Sequence, residues 1–297
     1  MPIEQHALGL ERIVSLDQDI EELASGFGGD RGPAEGPVWW REEGCLLFSD
    51  IGHNRRMKWT PREGVTLFHE PTNEANGLTR DRQGRLIACE HLARRVTRWE
   101  SDGSLTVVAN NYRSQQLNRP NDVVVKSDGS IYFTDPGLGR IESDLDFCGV
   151  YRVSPDLGSI HVLVWDFLLP NGLAFSPDES ILYVNDSQRG HIQAFDVEPT
   201  GLLALATDRV FATLVDDRVG VADGMKVDVE GNVYCTGPGG IWIFDNEGEH
   251  LGTIATGAQT TNVAWGDDDW STLYFTTRHT LGRIRMKLPG IPAPRGL

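Results

Sequence analysis

EGPVWW (35–40), NGLTRD (76–81), NDVVVK (121–126), NGLAFS (171–176), DGMKVD (223–228) and NVAWGD (262–267) start at intervals of 41, 45, 50, 52 and 39 residues. The mean of about 45 is the pitch of a four-stranded propeller blade. Each segment opens on a residue with a side-chain oxygen and runs into an apolar stretch. A second stretch follows in every case: LLFSD, LIACE, IYFTD, LYVND, VYCTG and LYFTT. Counted from the opening residue, these end at offset 15 (Asp50), 14 (Glu90), 14 (Asp135), 15 (Asp186), 14 (Gly237) and 15 (Thr277). Such constancy across six segments marks one repeated unit.

Between the paired stretches lie DRQGR (81–85), KSDGS (126–130), SPDES (176–180) and DVEGN (228–232), whose Gly, Asp and Asn suit hairpin turns. Third stretches such as RVTRWE, GVYRV, HIQAFDV and GIWIFD follow, several alternating apolar with polar as half-buried strands do. The expected fold is therefore all-β, a six-bladed β-propeller forming one domain over residues 1–297. The sixth segment has only three strands before its Pro-rich tail, so a strand at RIVSL (12–16) is expected to complete it and cover the open edge. A helical period is discernible, if anywhere, near residues 17–25, and a two-domain α/β arrangement lacks the amphipathic stretches it needs.

Composition agrees. Glycine accounts for 33 of 297 residues, about 11% against a usual 7%, and without collagen periodicity that excess means many turns. Acidic residues outnumber basic ones 43 to 27, a net charge of −16. A phosphate-binding surface needs clustered Lys and Arg, so neither nucleic acid nor an anionic membrane is an expected partner. No apolar run reaches the roughly 18 residues of a membrane span, and the first residues lack the pattern of a secretory signal. A cytoplasmic location is expected, or a periplasmic one if a leader has been removed. Cys45, Cys89, Cys148 and Cys235 have irregular spacing and no C-x-x-C, which reads as reduced core thiols and not as a zinc site. The tryptophans, Trp39, Trp40, Trp99, Trp165, Trp242 and Trp265 among them, read as packing between blades. Oligomeric state has no sequence signature here; a homodimer is admitted.

The innermost strand of a blade lines the central channel, so equivalent positions of six blades face one axis. Those positions are Glu35, Asn76, Asn121, Asn171, Asp223 and Asn262. Six oxygen-bearing side chains are costly to bury together unless something satisfies them. Two carboxylates with amide carbonyls and no sulfur or imidazole form a hard-oxygen set, suited to Ca²⁺ or Mg²⁺ above zinc. For a single pair such as Asn76-Gly77 a turn dipeptide is the better reading; for the whole ring a cation is. The second set of Asp50, Glu90, Asp135 and Asp186 is weaker, since strand-end carboxylates often cap backbone amides.

AEGPVW, RPNDVVV, YFTDPGLG, PNGLAFSPD and ADGMKVD, in this order from about residue 30, resemble the gluconolactonase and regucalcin (senescence marker protein) family. The resemblance implies a propeller holding one functional divalent cation, usually calcium, with Mg²⁺, Mn²⁺ or Zn²⁺ as substitutes. It implies hydrolysis of a sugar lactone such as D-glucono-1,5-lactone. By motif position Glu35, Asn171 and Asp223 match the family's metal ligands, and Asn121 matches a residue at both metal and substrate. Arg119 falls where regucalcin-like members contact substrate with an arginine, although many bacterial gluconolactonases carry something smaller.

A lactone is an ester, and its hydrolysis calls for stabilisation of a carbonyl oxyanion and a base for water. Asp223 is the first candidate for that base. Because coordination weakens a carboxylate as a base, Asp135 is the alternative. Asn76, Asn121, Arg119, Asp135 and His91 are the expected substrate contacts. His279 also lies near the second set, whereas His53, His69, His161 and His250 read as ordinary polar residues. The stretch 137–148 lengthens the third blade and reads equally as a lid or as a plain insertion. Two other functions compete: phosphotriesterase or aryl-esterase chemistry at the same ring, and a non-catalytic calcium-binding scaffold.

Overall fold

A computed structural model describes residues 2–137 and 144–294. Six antiparallel sheets follow one another along the chain, with inner strands at Ala34–Trp40, Ala75–Arg80, Val123–Val125, Pro170–Phe175, Met225–Val227 and Thr260–Gly266. Each blade proceeds outward from its inner strand by successive hairpins. The expected turns form as read. In DRQGR the amide of Asp81 donates to Arg85 O at 2.9 Å, and in KSDGS that of Lys126 donates to Ser130 O at 2.9 Å. In SPDES and DVEGN, Ser176 N and Asp228 N close the turns onto Ile181 O and Asn232 O.

The ring closes at the sixth blade, but with a different strand from the one expected. Glu21–Ser25 pairs antiparallel with Thr280–Arg285, and Arg283 meets Glu21 at 2.7 Å. Residues 12–16 form no strand, since Leu10–Ile13 is a single helical turn. Leu10, Ile13 and Val14 are buried in the apolar cluster of the fifth and sixth blades. The physical reason is that the outermost strand of a blade buries too little to impose a pattern. EELAS is exposed or half-exposed throughout and carries no apolar alternation, while RIVSL is apolar because it plugs the core. A second N-terminal piece, Ile3–Gln5, adds a fifth strand to the fifth blade.

Aromatic pairs join neighbouring blades. Trp39 stacks on Tyr274 at 5.5 Å between the first and sixth blades, and Tyr234 meets Trp265 edge-on at 4.9 Å between the fifth and sixth. Tyr132 and Phe175 do the same between the third and fourth. Trp39, Trp242 and Trp265 are thus core, as expected, but Trp165 is not: it is 56% exposed on the outer strand Ile160–Phe167, where no further blade surface covers it. All four cysteines are free thiols. Among the described residues no helix is long and apolar enough to cross a membrane.

Two features position the site. The inner strands begin at one end of the channel with the oxygen-bearing residues. At the opposite end Ile291–Pro294 lie against Arg80, Val125, Phe175 and Lys226, held by Ile291 N donating to Val227 O at 3.2 Å. The C-terminal tail therefore covers that end, and the oxygen ring faces the other.

Candidate active site

The ring positions are set by a shared local irregularity. Pairing between inner and second strands slips between Glu35 and Val38, Ala75 and Leu78, Pro170 and Leu173, and Thr260 and Asn262. A bulge of this kind re-aims a side chain. The glycine following the ring residue explains what the bulge accommodates. A Cβ on Gly172 would lie 2.2 Å from Asp223 O, and one on Gly77 would lie 2.5 Å from Asn121 O. Their amides instead donate to those same carbonyls, Gly172 at 3.1 Å and Gly77 at 2.9 Å. Asn-Gly here is a blade-to-blade contact and not a turn. Side chains of the second strands reinforce it: Ser49 donates to Asn76 O at 2.7 Å and Thr134 to Asn171 O at 2.8 Å.

The side chains then form an ordered array. Asn76 Nδ2 donates to Asn121 Oδ1, Asn121 Nδ2 to Asn171 Oδ1 at 2.7 Å, and Asn171 Nδ2 to Ser187 Oγ at 3.2 Å. Asn262 Nδ2 donates to Glu35 Oε2 at 2.9 Å, as does the Gly36 amide at 2.6 Å. Glu35, Asn76, Asn121, Asn171 and Asp223 line a cavity of about 580 Å³, a size typical of small-molecule sites. Asn262 bonds Glu35 from the side and is not part of that lining.

One residue of this region was not singled out from the sequence. Asp122 follows Asn121, is 2% exposed, and uses Oδ1 to accept from Val123 N at 2.9 Å while Oδ2 is buried with no hydrogen-bond partner among the described residues. Its signal was present in the sequence as an acidic residue at the mouth of an otherwise apolar strand. Burial raises the Asp122 pKa, and Lys226 holds it back. Burial likewise raises Glu35, with the Asp122 charge adding to it, and raises Asp223 well above the ordinary range with help from Glu35 and Asp122. Three carboxylates therefore repel one another across a poorly solvated floor.

That arrangement suits a hard divalent cation. It has surplus negative charge, an orphaned buried carboxylate oxygen, and amide oxygens with a second lone pair to offer. Among the described residues no group of three or more His, Cys, Asp or Glu is placed to hold a metal, so amide oxygens are required to complete the set.

His91 and Arg119 flank the floor. Arg119 Nη2 donates to His91 Nδ1 at 3.1 Å, and a guanidinium only donates, so Nδ1 is the acceptor and the neutral ring carries its proton on Nε2. The Nε2–H lies 3.2 Å from Asn76 Nδ2, which is itself a donor, so the two make no hydrogen bond in this tautomer and the Nε2–H is left to seek an acceptor. Burial, then the Arg119 charge, lowers the His91 pKa to about 3. The ring is neutral at neutral pH and serves as a hydrogen-bond donor, not as a proton carrier.

Asp135 lies outside the cavity. It is fully buried and its two oxygens accept from Asn118 N at 2.8 Å and Arg119 N at 2.6 Å. It fixes the backbone that presents Arg119, so neither direct substrate contact nor the alternative base role fits its placement. Burial outweighs those bonds and pushes its pKa up to about 7. His279 is also set aside, with Nδ1 at 2.9 Å from Phe27 O. Of the stretch 137–148, residues 138–143 lie outside the described residues. Gly137 lines the cavity, and Asp144 accepts from the Gln116 amide at 3.2 Å.

Comparison with known proteins bears on the family and the fold. The family model described as SMP-30/Gluconolactonase/LRE-like region matches residues 33–279. The chain is 34% identical over 308 residues to a gluconolactonase of Zymomonas mobilis, covering 95% of this chain and 85% of that one. It is 27% identical over 254 residues to regucalcin of Xenopus laevis, covering 82% of each. A solved gluconolactonase from Xanthomonas campestris superposes with a TM-score of 0.87 at 32% identity, covering 96% of this chain and 95% of that one.

Proposed function

Since this chain belongs to the SMP-30/gluconolactonase/LRE-like family, we propose that its oxygen ring holds a divalent cation, calcium in the first instance, and there hydrolyses D-glucono-1,5-lactone to gluconate. The protein is a lactone hydrolase acting on sugar lactones; the cation and the particular lactone are the parts proposed. What supports the reading above all is the convergence of Glu35 and Asp223 with Asn121 and Asn171 on one cavity floor, where among the described residues the carboxylate charge has no matching cationic side chain in hydrogen-bond contact.

Glu35, Asn171, Asp223 and Asn121 would hold the cation. When bound, it would polarise the ester carbonyl and balance the buried carboxylates. The chain's own groups do the rest. Asp223 takes a proton from the attacking water as the water oxygen bonds to the carbonyl carbon; its burial favours proton uptake, and the cation it would also hold opposes it. The same proton then passes to the ring oxygen as the ester C–O bond breaks, leaving an open hydroxy acid. Asn76, Arg119 and the Nε2–H of His91 meet the sugar hydroxyls, and Asp135 holds Arg119 at its post through the backbone.

The test is an initial-rate measurement on D-glucono-1,5-lactone before chelation, after chelation and dialysis, and after return of each of Ca²⁺, Mg²⁺, Mn²⁺ and Zn²⁺. Loss and restoration support the reading; full turnover in chelator contradicts it. Organophosphate and aryl-ester substrates in the same series separate the competing esterase activities.

A further inference from the structure

Above the oxygen floor the cavity wall changes character. Arg31, Arg119 and Arg278 all line it, together with Asp30. Arg31 and Arg278 stand at its outer end, one in the loop after Glu21–Ser25 and the other just after the sixth blade's Thr272–Thr277. Both are solvent-exposed, and Arg278 Nη2 is steadied by Gly29 O at 3.2 Å. Arg31 Nη1 pairs with Glu74 Oε1 at 3.0 Å, and Glu74 Oε2 lies 3.9 Å from Arg119 Nη2.

Glu74 is itself held in an unusual state. Its φ of 53° is left-handed, it follows Asn73 at 56°, and its amide donates to Asn54 Oδ1 at 2.7 Å. Such a conformation in a non-glycine residue persists only where the surroundings enforce it. Here it turns a buried carboxylate inward between two guanidiniums.

A neutral aldonolactone presents hydroxyls that both donate and accept. Arginine only donates, five N–H groups in a planar fork, and its natural complement is a carboxylate or a phosphate. Glu35 and Asp223 belong to the floor, where the cation would engage them. The charge left facing a substrate is then three guanidiniums against Asp30 and the already shared Glu74. In a chain of net charge −16, a cationic mouth is a local reversal and focuses the field on an entering anion.

We propose that this mouth selects sugar lactones bearing a second, anionic group, a carboxylate or a phosphate, at the end of the molecule remote from the ester, with Arg31 and Arg278 as its contacts and Glu74 as the residue that positions Arg31. The proposal rests on the lactone-hydrolase reading and adds the substrate class.

The experiment compares kcat/KM of the cation-supplied protein for D-glucono-1,5-lactone, for its 6-phosphate ester and for a lactone of a hexaric acid. At least one anionic lactone is expected to exceed the neutral one by about tenfold, and the two anionic arms tell phosphate from carboxylate. That ratio is expected to shrink toward one as salt rises from about 20 mM to about 0.5 M, and to fall severalfold in Arg278→Gln and in Arg31→Gln. Both side chains are exposed, so the variants keep the fold. A ratio of one or less in the wild type, or a ratio unmoved by both variants, overturns the proposal while leaving lactone hydrolysis intact. If no lactone turns over with any cation, hydrolysis itself has failed. Calorimetric titration with a hexarate and with gluconate then decides anion selection, with tighter hexarate binding in its favour and equal or weaker binding against it.

Discussion

Two sets of oxygen-bearing side chains recur from blade to blade in this protein, a strand apart, and they do opposite things; the inner set is present in all six blades, while the outer one gives way to Gly237 in the fifth. Five members of the inner ring turn into a cavity and leave like charges facing one another. The members of the outer ring are satisfied. Asp186 accepts from four backbone amides, Leu168 at 2.8 Å, Leu169 at 3.2 Å, and Gln188 and Arg189 at 3.0 Å. Asp50 accepts from Gly28 N and Arg55 Nε, and Glu90 from Thr97, Arg95 and Asn73. A carboxylate at a repeated register is therefore informative only through what meets it: donors make it a structural cap, while other carboxylates make it a seat for a cation.

The sharpest way to break this contrast is to neutralise one member of each ring. Asp223→Asn is expected to lower kcat about a thousandfold, within the range for loss of a general base, and to leave the thermal midpoint in chelator unchanged or higher because a repulsion is removed. Asp186→Ala is expected to do the reverse. It leaves four part-buried amides without their acceptor, so stability should fall by about 2 kcal/mol, with turnover per folded molecule retained. Thermal unfolding and kinetics on the two variants check both halves, and an Asp223→Asn protein with wild-type kcat would end the inner-ring account.

Next in size is Gly172→Ala. Its Cβ would collide with Asp223 O at 2.2 Å, whereas at Gly103 there is open space. Gly172→Ala is expected to cost about 2 kcal/mol and to displace Asp223, lowering kcat with it. Gly103 has a φ of 83°, so Gly103→Ala costs stability through the backbone alone and should leave kcat untouched.

The most gradual effect is on pH dependence. Asp135 has its folded pKa pushed up to about 7 from 3.8. Below about 4 both folded and unfolded chains hold the proton; between 4 and 7 only the folded chain does, so stability falls as pH rises through that window, by at most about 1.4 kcal/mol per unit. Glu35 and Asp223 add to the same slope in chelator, and a bound cation should flatten their share by favouring the ionised forms. Urea titrations of wild type and Asp135→Asn across pH 4 to 7, with and without calcium, should show a shallower slope in the variant and a shallower one again with the cation.

The same comparison explains what the sequence made legible. Six blades were readable because the inner ring and the ends of the second strands recur in register with apolar stretches, a pattern that burial enforces. The closing strand was misplaced because Glu21–Ser25 only half-buries Leu23 and Ala24, adjacent in sequence, and so leaves no alternating pattern, while the apolar residues of 12–16 belong to a plug. Glu35, Asn76, Asn121, Asn171 and Asp223 were placed together by register alone. Asp122 went unremarked because it sits one residue out of that register, and its buried, unpartnered Oδ2 is a fact of three dimensions. The role of Asp135 was likewise not legible, since a strand-end carboxylate reads the same whether it faces a substrate or a pair of amides. The glycines after the ring residues resemble a turn signal in sequence; only the carbonyl of the next blade shows why a side chain is excluded there.

The most direct test of the central claim is calorimetric titration of the chelated, dialysed chain with Ca²⁺, alongside Glu35→Gln and Asp223→Asn. The account predicts one cation per chain for the wild type, binding weakened at least about tenfold in either variant, and recovery of lactone hydrolysis in step with occupancy. A chain that binds no divalent cation yet hydrolyses the lactone at full rate, or one whose affinity is indifferent to both substitutions, would contradict it.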